Sequence, residues 1–162
     1  MAVNAYLTID TIPGPSTSRP NAIDVLSFSW GASQTTTYGT GASGQESKAG
    51  RADFNHLSIM KVTDKTTPFL FDACVNATNI GKVTLVYDKP VNNAPQDYFK
   101  ITIDDVIVTS VQLSGSAENP TESVTLAYQS IEVAYAAEKD DATLDSFVPK
   151  GFSVQTLKSW AA

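Results

Sequence analysis

Few side chains in this sequence could carry out nucleophilic chemistry. His56 is the single histidine and Cys74 is the single cysteine. The neighbours of His56 match none of the known signatures of a catalytic nucleophile or a metal ligand. Cys74 falls on the predicted core side of a short helix, where a free cysteine usually behaves as a small hydrophobic side chain. We therefore predict no catalytic residue, and interpret His56 as a half-buried structural or interface histidine on a strand and Cys74 as a packing residue.

Two acidic clusters could in principle bind a metal ion. Asp104 and Asp105 lie within a predicted strand, where adjacent side chains point to opposite faces and cannot hold one ion together. The run Glu138–Asp141 lacks the glycine and the spaced oxygen ligands of a calcium loop. Both clusters are predicted to be solvated turns or interface charges, so the sequence predicts no metal site.

The segment Thr35–Arg51 contains several glycines among threonines and serines. Phosphate binding is not indicated, because no lysine is placed as a P-loop requires and no helix pattern follows. A hairpin needs only about two to five residues to turn, so a connection of this length is usually functional or disordered. We expect a long functional loop here and predict no cofactor.

Composition and charge exclude several classes of protein. The 162 residues and the hydrophobic share of 42% suit one core, so we predict a single domain over residues 1–162. With 11 basic against 17 acidic residues and a net charge of −6, no basic stripe is left for phosphates, which argues against a nucleic-acid partner. No apolar stretch approaches the length needed to cross a bilayer, so no membrane insertion is predicted. The N-terminus lacks the pattern of a secretory signal, and the single cysteine suits a reducing cytosol.

Short runs of β-branched and aromatic residues that alternate with polar ones predict a mainly β protein. The candidate strands are Ala5–Asp10, Ile23–Gln34, Phe54–Val62, Lys82–Asp88, Asp97–Leu113, Ser123–Ala136 and Phe152–Leu157, with a turn at Lys89–Gln96. One segment departs from this pattern. Thr66 precedes Pro68 as a helix cap would, and Leu70, Ala73 and Cys74 then share a face, so a short helix is predicted there.

Two of the candidate strands change phase partway along their length. The register of apolar residues shifts near Val25 in Ile23–Gln34 and at Gln129–Ser130 in Ser123–Ala136. A bulge or bend at each point would keep the apolar side chains of both halves pointing inward. The inward set of the first strand is Ile23, Val25, Leu26, Phe28 and Trp30. Long bent strands that stay buried on one side predict a small closed β-barrel with one short helix.

Three separate segments carry motifs that indicate a family. A strand ending in a Trp-Gly pair precedes a glycine-rich loop, a later strand leads to a Thr-Pro helix start, and two long consecutive strands follow. These segments are Ile23–Gly31, Leu57–Cys74 and Tyr98–Tyr135. In this order they resemble the haemolysin-coregulated protein (Hcp) family of type VI secretion systems, over nearly the whole chain.

The resemblance implies a structural protein and not an enzyme. Hcp-like protomers form hexameric rings head to tail, and the rings stack into a hollow tube that carries or chaperones effector proteins in its lumen. The expected partners are copies of itself, the contractile sheath, the spike, the baseplate and the effectors. The resemblance also implies a bacterial cytoplasmic protein that is expelled to the outside or into a target cell without a signal peptide.

Two sets of residues are expected to act in such a ring. Ser27 and Ser29 face away from the apolar side of their strand, and we expect them to line the lumen with small neutral side chains. Ring-to-ring stacking is assigned to the long loop. Its candidate residues are Tyr38, Gly39, Gly41, Gly44, Gln45, Glu46 and Lys48. The alternatives are a phage-like contractile tail tube protein and, from a different class, a small enzyme that uses His56.

Overall fold

The structure is a computed structural model that describes residues 3–37, 48–116 and 118–160. These residues form thirteen strands and one helix. In chain order the elements are β1 (Asn4–Ile9), β2 (Ala22–Val25), β3 (Ser27–Ser29), β4 (Ala32–Thr37), β5 (Lys48–Phe54), β6 (Leu57–Val62), α1 (Thr67–Val75), β7 (Val83–Val91), β8 (Ala94–Asp104), β9 (Ile107–Ser114), β10 (Thr121–Ala127), β11 (Ser130–Tyr135), β12 (Val148–Ser153) and β13 (Lys158–Trp160). The prediction of a mainly β protein with one short helix is confirmed.

The strands are divided between two larger antiparallel sheets and a hairpin. One sheet has seven strands in the order β13-β12-β11-β8-β7-β1-β2, and the other has four in the order β3-β6-β10-β9. Strands β4 and β5 pair only with each other among the described strands. No closed barrel is detected within the described part of a single copy.

Both predicted phase changes are places where the chain passes from one sheet to the other. Between β2 and β3, Leu26 donates its backbone N–H to the carbonyl of Met60 at 2.7 Å, and the next residues join the four-stranded sheet. The chain crosses back between β10 and β11, at Tyr128 and Gln129. Strands that switch sheets in this way form the corners of a two-sheet core. Leu26 itself is 59% exposed, so the prediction that it points into the core was wrong.

Two other predicted elements differ from the structure, and in both cases the difference lies at a turn of the chain. The predicted strand Asp97–Leu113 is divided into β8 and β9, which belong to different sheets, and Asp105 between them has a left-handed backbone with φ +51°. Asp104 therefore ends a strand and Asp105 lies exposed in a turn. The predicted turn Lys89–Gln96 is shorter in the structure. There, Asn92 and Asn93 with φ of +54° and +63° form a two-residue turn between paired strands.

The segment predicted as the long loop Thr35–Arg51 begins and ends as the hairpin β4–β5. Its arms pair from Ala32 opposite Phe54 to Thr37 opposite Lys48, with a register shift near Thr35. Gly50 fits against this irregularity because a Cβ at that position would lie 2.8 Å from the Thr35 carbonyl oxygen. Ser33, Gln34, Thr35 and Thr36 of β4 are all exposed and polar, so the period-2 signal that marks a half-buried strand is missing there.

The core lies between the two larger sheets and is closed at one side by α1. Leu70 and Ala73 of the helix are buried, and Cys74 is partly buried against the core, as predicted. Thr66 is the N-cap residue but its side chain makes no capping bond. Instead, Asp64 Oδ1 accepts the backbone N–H of Thr66 at 2.8 Å and also its hydroxyl. The helix is therefore anchored by the turn that precedes it.

Candidate functional site

The four-stranded sheet has one face in the core and one face directed away from it. The strand registers place Ser27 and Ser29 on this second face, opposite Met60 and Ser58 of β6. The face continues across β10 and β9 with uncharged side chains. Its members are Ser27, Ser29, Ser58, Met60, Val62, Thr121, Ser123, Thr125, Ser110, Gln112 and Ser114. We call these residues the neutral face.

The neutral face consists mainly of hydroxyl and amide side chains, with the partly exposed Met60 and Val62 as its apolar members. Ser27 and Ser29 are both exposed. Ser58 and Thr125 approach each other at 3.4 Å between hydroxyl oxygens, and the Gln112 amide donates to Ser110 at 3.3 Å. Such a surface offers hydrogen bonds to a contacting protein but supplies no strong electrostatic field.

Directly beneath the neutral face, a buried ion pair joins the two central strands. Lys61 and Glu122 are register partners on β6 and β10, and neither side chain is exposed. Lys61 Nζ donates to Glu122 Oε1 and to the Val62 carbonyl at 3.2 Å, and it lies 3.2 Å from Asp64 Oδ1. Through Asp64 the pair is connected to the start of α1. Glu122 Oε2 is buried without a hydrogen-bond partner among the described residues.

This ion pair was missed in the reading of the sequence, although a signal was present. Leu57, Ile59 and Lys61 share one parity on β6, and Glu122 shares the parity of the inward apolar residues on β10. A charged residue at an inward position of a strand requires a partner of opposite charge. Only the pairing of β6 with β10 identifies that partner.

His56 lies in the two-residue connection between β5 and β6 and is exposed, so the prediction of a half-buried histidine on a strand was wrong. It contributes to the wall of a cavity of about 280 Å³ beside Arg51, Asp53, Tyr128 and Phe152. No hydrogen bond from the His56 side chain to a serine, a cysteine or a carboxylate is found in the described part of the chain. The cavity wall therefore lacks the paired base and nucleophile of a catalytic triad.

Tyr128 organises the corner next to this cavity. Its hydroxyl accepts a hydrogen bond from Trp30 Nε1 at 2.6 Å and donates one to the Asn55 carbonyl at 2.7 Å. Burial raises the pKa of the Tyr128 phenol, and the bond from Trp30 opposes this effect. Phe54 stacks on Phe152 with ring centroids 4.8 Å apart, which fixes the base of the hairpin β4–β5 against β12.

The predicted stacking residues Tyr38, Gly39, Gly41, Gly44, Gln45 and Glu46 lie outside the described residues. Lys48 is the first residue of β5, where it pairs with Thr37 of β4. The described arms of the hairpin thus lead up to the segment for which the stacking role is predicted.

The acidic clusters show no arrangement that would bind an ion. Glu138 pairs with Lys89 at 2.8 Å, and Asp141, whose pKa is held below its ordinary value by hydrogen bonds from Thr143, lies in an exposed turn. Among residues 3–37, 48–116 and 118–160 there is no group of three or more histidine, cysteine or acidic side chains suited to a metal. The single described helix is too short to cross a membrane.

Comparisons with known proteins agree with this geometry. A family model described as "Type VI secretion system effector, Hcp" matches residues 6–135. Protein hcp1 of Pseudomonas aeruginosa is 34% identical over 149 residues, which cover 90% of each chain. A solved type six secretion system protein superposes with a TM-score of 0.87 at 25% identity, covering 98% of this chain and all of that one. Hcp1 from Salmonella typhimurium gives a TM-score of 0.77 at 25% identity, covering 99% of this chain and all of its own.

The family match extends over well more than half of the sequence, and the likeness to the Pseudomonas relative extends over nearly all of it. The chain therefore belongs to the Hcp family of type VI secretion system proteins.

Proposed function

We propose that this chain is a structural subunit of the inner tube of a type VI secretion system. Six copies form a ring, rings stack into a hollow tube, and effector proteins are carried in the lumen. The single observation that carries this proposal is membership of the Hcp family along almost the entire chain. The sheath surrounds the tube, the spike and baseplate adjoin its ends, and the subunit stays in the cytoplasm until the tube is expelled.

The free edges of the four-stranded sheet support closure into a ring. Every neighbouring pair in β3-β6-β10-β9 is antiparallel, so the two edge strands, β3 and β9, run in opposite directions. Rotation about a ring axis keeps strand direction, so β9 of one copy meets β3 of the next as an antiparallel pair. This contact is heterologous, as a head-to-tail ring requires, and it hides both edges. Six four-stranded sheets joined in this way form one closed barrel.

The same closure supports a position of the neutral face in the lumen. The seven-stranded sheet covers the core side of the four-stranded sheet, so it lies on the outside of the ring. The opposite side, which carries Ser27 and Ser29, then faces the axis. A neutral wall of small side chains allows varied cargo to form hydrogen bonds and still be released, because no strong field retains it.

The oligomeric state of the purified protein tests the proposal. Size-exclusion chromatography with light scattering should show a species of six copies, and negative-stain microscopy should show annular particles. A protein that stays at its monomer mass of 17.3 kDa at every concentration and ionic strength contradicts the proposal.

The lumen assignment is tested separately with the double variant Ser27→Arg and Ser29→Arg. Rings should still form, because both side chains are exposed, but effectors should no longer be retained since twelve added charges crowd the channel of each ring. The matched control is Ser146→Arg with Thr156→Arg, which adds the same charge at exposed positions outside the neutral face. Effector retention measured by co-purification should fall only in the first variant, and equal retention in both rejects the assignment.

A further inference from the structure

The helix α1 exposes an apolar surface that the fold of one copy leaves uncovered. Phe71 is 56% exposed and Val75 is 62% exposed. These residues are four positions apart and share one face of the helix, whereas Leu70 and Ala73 bury the other. We call Phe71 and Val75 the helix patch. Phe69, which is 62% exposed, lies on the other side of the buried face and is not part of this patch. Two large apolar side chains on one face of so short a helix mark a surface of contact with another molecule.

The helix lies along β9, which is one free edge of the four-stranded sheet. Asp64, just before the helix, forms an ion pair with Lys61. Lys61 on β6 lies opposite Glu122 on β10, and Glu122 lies opposite Leu113 near the end of β9. The N-terminal end of the helix is therefore near the end of β9. Beyond its C-terminal end, Asn79 pairs with Ile107 at the start of β9. The helix that carries the patch therefore lies beside the free edge of β9, and Leu113 on that strand is itself 56% exposed.

The opposite edge of the same sheet carries a different apolar surface. Leu26 is 59% exposed just before β3, and Phe28 on β3 is partly exposed. The Phe28 ring lies 5.5 Å from Tyr87 and 6.2 Å from Phe99 between centroids, and those two rings are 6.2 Å apart. We call Leu26, Phe28, Tyr87 and Phe99 the aromatic corner. Clustered, partly exposed aromatic rings are typical of the energetically dominant part of a protein interface.

We propose that the helix patch of one copy packs on the aromatic corner of the next copy around the ring. This contact rests on the proposed ring and adds a second layer to it, outside the β3–β9 strand junction. The two surfaces flank the two edges that meet in the ring, and they differ from each other as a heterologous contact requires. Each copy has a net charge of −6, so an apolar contact joins like-charged copies with less repulsion than a contact between charged faces.

Two single variants test the contact from its two sides. Phe71→Asp alters the helix patch and Leu26→Asp alters the aromatic corner. Both positions are largely exposed, so circular dichroism and thermal unfolding of the monomer should be unchanged. Each variant should raise the protein concentration at which half of the chains are in rings by roughly tenfold or more. Val148→Asp, at a position 65% exposed on β12, is the control and should leave this concentration unchanged.

A mixture of the two variants identifies the pairing. Phe71→Asp retains an intact aromatic corner and Leu26→Asp retains an intact helix patch, so an equimolar mixture should form dimers that neither variant forms alone. Rings of normal stability in either variant, or the absence of dimers in the mixture, overturn the contact. These outcomes are distinct from failure of the proposed function, in which the unmodified protein itself forms no rings. They also separate this contact from binding of the patch to another protein, which would leave ring stability unchanged in Phe71→Asp.

Discussion

At the scale of single residues, the buried pair Lys61–Glu122 is the feature that distinguishes this core from a purely apolar one. Burying two charges costs free energy that their attraction offsets only when the geometry is good, so such a pair adds little net stability. Removal of one partner, however, leaves an uncompensated charge in the core. By contrast the surface pair Arg19–Asp97 is partly exposed, and ion pairs of that kind contribute about 1 kcal/mol or less.

Lys61→Met should lower the free energy of unfolding by about 3–5 kcal/mol, because Glu122 would stay buried without its ion-pair partner, and its Oε2 already has no hydrogen bond among the described residues. The double variant Lys61→Met with Glu122→Leu should recover most of that loss, since no charge then remains unpaired. Urea denaturation at one fixed protein concentration measures both effects, because the proposed ring formation would make apparent stability depend on concentration. Arg19→Ala serves as the surface control. Equal stability of the single and double variants contradicts this account.

The raised pKa of the Tyr128 phenol predicts how the free energy of unfolding changes in alkaline solution. Its pKa is raised by burial above the ordinary value of 10.0, so the folded protein keeps this proton after the unfolded chain has lost it. The contribution of this raised pKa to the free energy of unfolding is fully present below pH 10.0 and is lost as the pH rises through the higher pKa of the folded state. Tyr87, whose pKa is also raised by burial, acts in the same direction.

Tyr128→Phe should therefore lose less stability than the unmodified protein between about pH 9 and about pH 11. Urea denaturation midpoints at several pH values give the comparison, and ultraviolet titration of the phenols checks the ionisation directly. Tyr128→Phe also loses the hydrogen bonds to Trp30 and Asn55, which lowers its stability at every pH. The comparison therefore uses only the slope of the free energy of unfolding against pH. An identical alkaline slope in the two proteins counts against a raised pKa at Tyr128.

At the scale of elements, the hairpin β4–β5 stands apart from the rest of the fold. Among the described strands its arms pair only with each other, and its base is fixed by the Phe54–Phe152 stack. The backbone N–H of Asn55 also donates to the Gly31 carbonyl at 2.9 Å, which closes the base. A two-stranded hairpin alone is marginally stable in water, so contact with another ring would stabilise it.

Replacement of residues 38–47 by an Asn-Gly pair tests the stacking role. Thr37 and Lys48 are register partners, so a two-residue turn can close the hairpin directly. Rings should form as before, while the length of tubes in negative-stain images should fall sharply. A glycine-serine segment of the original length is the matched control, and it separates the effect of sequence from that of length. Tubes of normal length in the shortened variant reject the stacking role.

At the scale of the whole molecule, the net negative charge of each copy opposes the assembly that pairing of the edge strands β3 and β9 would favour. Each copy carries −6, so the proposed ring of six carries −36. Stacked rings then repel one another until dissolved salt screens the charges, and the screening length is about 10 Å at 0.1 M salt. The apolar and strand-edge contacts within a ring depend far less on salt than the repulsion between rings does.

Stacking of purified rings should therefore increase as sodium chloride is raised from about 0.05 M to about 0.5 M. Sedimentation velocity measures the fraction of rings in longer tubes, and sucrose at matched osmolality controls for effects other than screening. If stacking weakens with added salt, specific ion pairs between rings are the dominant contact instead.

The sequence alone determined those features that depend on local chemistry. Alternating apolar residues indicated strands, and Thr66 before Pro68 marked the start of α1. The phase shifts near Val25 and at Gln129–Ser130 located two of the crossings between sheets, because a strand that bends must change parity to keep its apolar side chains buried. The crossing between β8 and β9 gave no such signal, and it was predicted as one continuous strand. The motifs in these same segments were also sufficient to indicate the Hcp family.

Only the tertiary structure decided which segments lie beside one another. The partner of Lys61 could not be known before β10 was placed next to β6, since a charge on one strand does not specify its neighbour. Leu26 shares the parity of core residues yet is exposed, because it lies at a corner where neither sheet covers it. Periodicity gives the face of a strand on which a side chain lies, whereas burial depends on what packs against that face, and this is set by contacts between residues far apart in sequence.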